Sequence, residues 1–350
     1  RVVALVFYGR REFVSILNHY LKRNLKENGG LLDEVIFAVK TDNRDDIGYV
    51  QELVASTPAY SQQTITTEQG KYNWSHWTGS WSVVSEPESI YIKIDDDVIF
   101  FDDCTIPALV KRLLEDQQYF AVSANVVNGG AISGVHYHMG VYEPYWPEVK
   151  CPPQDSTTTT TGSGSSKKST WRLSELPEYQ GPIDGPPGFR IDGSTPAPYQ
   201  GHRWLHVSTS QGKAFDPSLF PCSTLGLTVR GPNTTNWAAA AQAHYSLLHH
   251  LETSNTSQYR FGIWDFMYER CSINFIAIRG RDILDAFPFP IGDDEEFLTR
   301  VRPKELGRRV VVDGAGLVAH FAFTEQRTAN NGAALMWTDL LARYRAYAEE

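Results

Sequence analysis

Cysteine is scarce in this chain, with four in 350 residues, and none of them forms a CxxC pair. Cys104, Cys151, Cys222 and Cys271 are widely separated, which argues against a zinc site and leaves either two disulfides or four buried thiols. No apolar run reaches the roughly 18 residues that a membrane span needs. A signal-peptide pattern is also missing. Positive charge is not in excess: 41 acidic residues outweigh 32 basic ones, giving a formal charge of -9. That balance supplies no general attraction to nucleic acid or to an anionic membrane. The chain starts at Arg1 and passes directly into the apolar stretch Val2 to Phe7, as a chain cut at a domain boundary would. A targeting segment or membrane anchor upstream would not be visible.

What the chain does contain is Ile90-Tyr91-Ile92-Lys93-Ile94-Asp95-Asp96-Asp97-Val98-Ile99-Phe100, three carboxylates inside an apolar, β-branched run. Such a run reads as a buried strand. If the backbone stays extended through the triplet, Asp95 and Asp97 share one side and Asp96 faces the other. A short acidic run usually ends a strand and sits in water. Here apolar residues flank it on both sides, so the charges lie beside a core and need a partner, most simply a cation. Paired hard oxygens suit Mg2+ or Mn2+.

Upstream, Val2 to Phe7 predicts a first strand, Tyr8-Gly9-Arg10-Arg11 a turn, and Phe13, Ile16, Leu17, Tyr20 and Leu21 a helix. Leu32 to Val39 predicts a second strand that ends in Lys40-Thr41-Asp42-Asn43, and Ile47, Val50, Leu53 and Val54 a second helix. Alternating strands and helices imply a parallel sheet with right-handed crossovers. The loops after Phe7 and Val39 then share the sheet edge of the aspartate triplet. Arg10, Arg11 and Lys40 could meet phosphates there, with Asp42 or Asn43 on a ribose, although basic residues after a strand are also routine. Tyr72 to Trp81 holds Trp74, Trp77 and Trp81 and reads as core packing. Ile106 to Leu114 predicts another helix and Tyr119 to Val127 another strand. His136-Tyr137-His138 lacks a third ligand nearby and reads as a pocket or loop feature.

From Tyr142 to about Trp204 periodicity fails, and Pro, Gly, Ser and Thr dominate, including Thr157 to Ser166. This predicts a long irregular insertion or lid. Its Trp146, Trp171, Tyr179, Tyr199 and Trp204 suit sugar faces and equally suit stapling the loop to its domain. Trp237 to Leu251 predicts a helix and Ser272 to Ile278 a strand. Asp293-Asp294-Glu295-Glu296 opens a further helix, where acidic residues also complement the helix dipole. Val310 to Val312 and Leu317 to Phe323 predict late strands that enclose His320, and Ala333 to Tyr347 a final helix. Asn73-Trp74-Ser75, Asn233-Thr234-Thr235 and Asn255-Thr256-Ser257 match the glycosylation acceptor pattern. With an even cysteine count they point to a secretory lumen.

Taken together, Lys93-Ile94-Asp95-Asp96-Asp97-Val98, Asp294-Glu295-Glu296-Phe297-Leu298-Thr299 and Val318-Ala319-His320-Phe321 resemble glycosyltransferases of the GT-A fold with a DxD motif. They are similar to eukaryotic β-1,3-type transferases and to fungal proteins of that type. The resemblance covers Val2 to Val127 and Cys271 to Phe323. It implies an α/β, Rossmann-like fold: a mostly parallel sheet flanked by helices, with a long irregular insertion. It also implies one catalytic domain over 1–350, with a nucleotide-sugar-binding half at 1–130, the insertion at 142–206, and an acceptor-side half with a C-terminal helix at 207–350.

In function, the resemblance implies a metal-dependent transferase, using Mn2+ or Mg2+, that moves a sugar from a nucleoside-diphosphate donor such as a UDP-sugar to a hydroxyl of a glycan or glycoconjugate. Inversion at the sugar and a Golgi location follow from the same likeness, with membrane contact only through an anchor outside this chain and no nucleic-acid partner. Asp95, Asp97 and His320 would hold the metal. Tyr8, Gly9, Arg10, Arg11, Lys40, Asp42, Lys93 and Asp96 would line the donor site, and Asp294 or Glu295 would be the base. The acidic stretch Asp293 to Glu296 replaces the compact Glu-Asp pair of the family, so the base is not assigned to one residue. A glycan-binding or inactive relative and a metal-dependent nucleotide phosphohydrolase are the alternatives.

Overall fold

The structure, a computed structural model, describes residues 1–65, 78–152, 170–208, 215–225, 235–290, 292–327 and 334–350. Tyr72, Asn73, Trp74, Trp77, Thr157 to Ser166, Asn233, Thr234, Ile291 and Ala333 lie outside them. The described residues divide into two compact units, one within 1–135 and 259–321 and the other within 136–225, 235–258 and 322–350.

The first unit is built on nine strands: β1 (Val2–Tyr8), β2 (Glu34–Val39), β3 (Tyr60–Thr64), β4 (Ile90–Asp95), β5 (Val98–Phe101), β6 (Tyr119–Val127), β9 (Ile263–Asp265), β10 (Phe275–Arg279) and β11 (Arg309–His320). The labels β7 and β8 belong to a strand pair of the other unit. The strand order is β3-β2-β1-β4-β10-β6-β11-β5, and β9 pairs with β11. β1, β2, β3, β4, β6 and β11 run one way; β5, β9 and β10 run against them. The expected α/β architecture with a mostly parallel sheet is therefore what the chain forms.

Continuous apolar stretches explain why the central strands are buried on both faces: Val3 to Tyr8 and Ile90 to Ile94 are buried throughout. Helix α1 (Arg11–Arg23) follows β1 and buries Phe13, Val14, Ile16, Leu17, Tyr20 and Leu21, the spacing of one helical face. Helix α2 (Arg44–Ser56) begins where the Asn43 side chain accepts hydrogen bonds from the backbone N–H groups of Asp45 and Asp46. Asn43 is thus used as a helix cap. Helix α3 (Thr105–Glu115) buries Ile106, Leu109, Val110 and Leu113. The strand expected from Ser272 is shorter and begins at Phe275. The two late strands are one, β11, with a break in register between Asp313 and Leu317. That break accommodates Gly314, where a Cβ would lie 2.3 Å from the Phe261 carbonyl oxygen.

The second unit takes in the described part of the irregular stretch. Its described residues contain the antiparallel pair β7 (Tyr145–Pro147) and β8 (Trp204–His206), together with the helix Trp237–Glu252 and a C-terminal helix that runs only from Leu340 to Glu349. Trp146, Trp204 and Trp237 are fully buried, and the Trp146 ring stacks on Phe220 with centroids 4.7 Å apart. Trp171 is buried as well, beside Tyr347. These tryptophans form a core, which is how a segment without periodicity can still be ordered: each large ring buries some 150–250 Å². All four cysteines are free thiols, so the two-disulfide alternative is not realised; Cys222 and Cys271 are buried, Cys104 is half-buried and Cys151 exposed.

Candidate functional site

Parallel register brings the ends of β1, β2, β4, β6 and β11 to one edge of the sheet, since Tyr8 pairs with Val39, Phe7 with Asp95 and Ala319 with Val127. Gly9 and Arg10, Lys40, the aspartate triplet, Asn128 and His320 therefore gather there, at the edge where sheets of this kind bind ligands. Asn274, which immediately precedes the antiparallel β10, joins them.

The triplet does not stay extended. Asp95 is the last residue of β4, and Asp96 and Asp97 form a turn into β5. Alternation along one strand therefore does not set their directions, and Asp95 and Asp97 are not two teeth of the same face. Asp95 accepts from the Lys93 ammonium and, through Oδ2, from the Asn274 amide at 2.9 Å. Asp96 is buried; its Oδ2 accepts from Gly9 N at 3.0 Å, and the Arg10 guanidinium pairs with both of its oxygens. Asp97 is buried too, with Oδ2 2.9 Å from Arg10 Nη2 and Oδ1 3.4 Å from His320 Nε2.

The electrostatics follow the contacts. Burial works to raise the Asp97 carboxyl, but His320 and Arg10 outweigh it and hold it well below the usual carboxylate range. Burial pushes Asp96 up to about 6 against the pull of Arg10, with Asp97 and Asp95 adding to the rise. Lys93 is almost fully buried, bonds the Ile273 carbonyl at 2.8 Å and lies over the Phe7 ring, so it works as an internal strut.

His320 Nδ1 lies 3.2 Å from the Asn128 carbonyl oxygen, a contact in which the ring nitrogen donates. Asn128 has left-handed backbone, φ 54°, and its side-chain amide donates to the carbonyls of His320 and Phe321. A histidine anchored through Nδ1 turns Nε2 toward Asp97, which is the arrangement that orients imidazole for a metal. Asp97 and His320 thus fit a divalent ion in donor chemistry. Asp95 is committed to Lys93 and Asn274, and among the described residues no three His, Cys, Asp or Glu side chains converge as a ready metal cluster.

The remaining donor-side residues separate into two kinds. Tyr8 is buried and its hydroxyl donates to the Asp46 carbonyl at 2.6 Å, while Arg11 is exposed, with its backbone N–H on Asp46 and its guanidinium 3.3 Å from Asp45. Both serve the start of α2. Asp42 is exposed at the loop. Lys40 differs, because its buried ammonium has no hydrogen-bond partner among the described residues. Burial lowers its pKa, with Asp294 pulling the other way.

The second acidic cluster opens a short helix, Asp294–Glu296, and Asp293 caps it by accepting from Glu296 N at 2.9 Å. Its capping role is therefore real: Asp293 is the N-cap, and Asp294 Oδ1 also accepts from Glu295 N at 3.1 Å. Asp294 is buried and accepts from the Trp81 indole N–H at 2.8 Å; Trp81 is itself fully buried, edge-on to Phe7. Burial raises the Asp294 carboxyl, opposed by Lys93 and Trp81. Glu295 is paired with Arg270 Nε at 3.0 Å, and burial pushes it up to about 7. Trp81, Asn128, Asn274 and Arg270 were not singled out as site residues by their sequence context. Asn128 follows the predicted strand Tyr119 to Val127, the one signal that could have flagged it, whereas Asn274 falls inside the strand predicted from Ser272.

The chain matches no protein-family model and no curated protein. Among solved structures it is similar to GalNAc-T7 with UDP, GalNAc and Mn2+, at 9% identity over 96% of this chain and 46% of that one, TM-score 0.41. Glucosyl-3-phosphoglycerate synthase from Mycobacterium tuberculosis, in complex with Mn2+, UDP-glucose and phosphoglyceric acid, is 17% identical over 41% of this chain and 50% of its own, TM-score 0.28. A 4-diphosphocytidyl-2C-methyl-D-erythritol synthase from Anaerococcus prevotii is 14% identical over 36% and 55%, TM-score 0.27. This chain spans about half the length of these proteins. With TM-scores below 0.5, the likenesses carry no weight for its chemistry.

Proposed function

We propose that the chain is a glycosyltransferase of GT-A type that moves a sugar from a nucleoside-diphosphate donor, a UDP-sugar first, to a hydroxyl of a glycan or glycoconjugate with inversion, in the Golgi lumen. The observation that carries this reading is the meeting, at one sheet edge, of a carboxylate triplet, a histidine oriented through its far nitrogen and the lysine Lys40, whose buried ammonium makes no hydrogen bond among the described residues. Carboxylates and imidazole suit a divalent cation, whereas an orphan ammonium suits an anion. A nucleoside diphosphate with its metal offers both.

Asp97 and His320 would hold the ion, which when bound neutralises charge on the departing diphosphate. Lys40 adds a fixed positive charge for the same oxygens. Asp294 is the base in this reading, because its carboxyl is buried, accepts from the Trp81 indole N–H at 2.8 Å and is raised by that burial. It would take the proton of the acceptor hydroxyl as that oxygen bonds to the anomeric carbon and the sugar–phosphate bond breaks, with the electron pair leaving on the nucleoside diphosphate.

Calorimetric titration of UDP- and GDP-sugars with and without Mn2+, against the native chain and Asp97→Ala, tests the reading. Binding should need both the metal and Asp97. Absence of binding to every nucleotide sugar, with the protein folded, would move the assignment to a glycan-binding or inactive relative. Rapid donor hydrolysis indifferent to any acceptor would instead mark a phosphohydrolase.

A further inference from the structure

Each oxygen of the three aspartates meets a donor of the protein, and the donors are unequal. Lys93 is sealed in the core and also bonded to the Ile273 carbonyl, so it cannot leave Asp95. Arg10 sits on the turn between β1 and α1 with extended backbone, φ -141°, and its side chain is 28% exposed, against 3% for Asp96 and 7% for Asp97. It spans both of those carboxylates and rests over the Phe13 ring at 4.9 Å. Two adjacent buried carboxylates cannot both stay ionised without a cation between them. A divalent ion on Asp97 would bring two further positive charges next to this guanidinium, and both cannot occupy the pair.

We propose that Arg10 is the resident counter-ion of Asp96 and Asp97, and that a divalent metal enters by displacing it. This rests on the reading of the edge as a metal-dependent donor site. Displaced from the carboxylates, the guanidinium needs a new anion, and a nucleoside diphosphate supplies one. Metal and donor therefore bind with positive coupling, and Arg10 is the residue that transmits it. Arg10 acts on the metal through the carboxylates and on the donor through its own guanidinium.

Mn2+ affinity is measured by electron paramagnetic resonance of free Mn2+, with and without UDP, for the native protein, Arg10→Met and Arg10→Lys. Without UDP, Arg10→Met should bind Mn2+ at least tenfold more tightly than the native protein, and Arg10→Lys should fall between. Addition of UDP should tighten Mn2+ binding to the native protein and do so far less in Arg10→Met. Thermal unfolding guards against a misfolded variant: Mn2+ should raise the midpoint of Arg10→Met more than that of the native protein. Equal or weaker Mn2+ binding by both variants, still abolished by Asp97→Asn, overturns the displacement and leaves the site reading intact. Mn2+ binding that survives Asp97→Asn, or no Mn2+ binding in any variant, overturns both.

Discussion

Two acidic clusters stand out in the first unit, Asp95 to Asp97 and Asp293 to Glu296, and they are compensated to different degrees. Around Asp95 to Asp97 the protein places Lys93, Arg10 and His320 as partners for three carboxylates; Asp97 is held ionised, while burial still raises Asp96 to about 6. At Asp293 to Glu296 burial outruns compensation: Asp294 has an indole N–H in direct contact, Glu295 one arginine, and both carboxyls are raised. Permanently charged groups serve to hold a cation. Carboxyls raised by burial, as Asp294 and Glu295 are, hold a proton more readily and are better placed to accept one. The same residue types are thus fitted for two tasks by burial and by the company they keep.

The sharpest way to break this comparison is to neutralise one side at a time. Asp294→Asn should cut transfer by about 10²- to 10⁴-fold while donor affinity holds, the range expected for loss of a general base; Glu295→Gln should do much less. Full transfer by Asp294→Asn in a radiolabelled-sugar assay would remove it as the base, and loss in Glu295→Gln alone would hand that role to its neighbour.

Compensation at the first cluster predicts a stability effect. Lys93→Met strands Asp95 beside a packed core and should cost about 3 kcal/mol or more in urea unfolding, as breaking a buried ion pair does. Adding Asp95→Asn should recover much of that loss by deleting the stranded charge. A double variant no more stable than Lys93→Met would mean that packing of the lysine stem over Phe7, not charge, is what matters there.

The smallest effect is a slope. Glu295 rises from an ordinary 4.5 to about 7 in the folded chain through burial. Between those values the folded state keeps a proton that the unfolded state has released. Its contribution is therefore complete below 4.5 and lost as pH climbs through 7, on the order of 3 kcal/mol. Unfolding midpoints taken from pH 5 to 8 should fall less steeply in Glu295→Gln than in the native protein. Parallel slopes would show that Arg270 already keeps the carboxylate ionised.

Much of the first cluster was legible in advance because its elements are periodic. The spacing of Phe13, Ile16, Leu17, Tyr20 and Leu21 does mark α1, and apolar runs do mark β1, β2, β4 and β6. The sheet edge shared by Arg10, Lys40 and the triplet follows from that alternation. Illegible was the turn at Asp96 and Asp97, since Val98 to Phe101 is as β-prone as the run before it and nothing marks the reversal. Arg10's grip on two aspartates depends on β1 lying next to β4, and His320's anchor on β6 lying next to β11. Neither adjacency is written in local sequence. In the second unit the aromatics are spaced irregularly, so the sequence left open whether they serve sugar faces or packing, and the structure buries Trp146, Trp171 and Trp204.

The position of β10 carries a consequence for how the molecule is made. This strand lies between β4 and β6, yet it is encoded some 180 residues after β4 and 150 after β6. During synthesis, β4 must wait with an open edge until residues 275–279 leave the ribosome, and Asn274 reaches Asp95 only then. An early ribbon of β3, β2, β1 and β4 can form long before the carboxylate cluster is complete. Sheet edges exposed for that interval attract other chains. A nascent chain truncated before Phe275 should therefore be a client for chaperones.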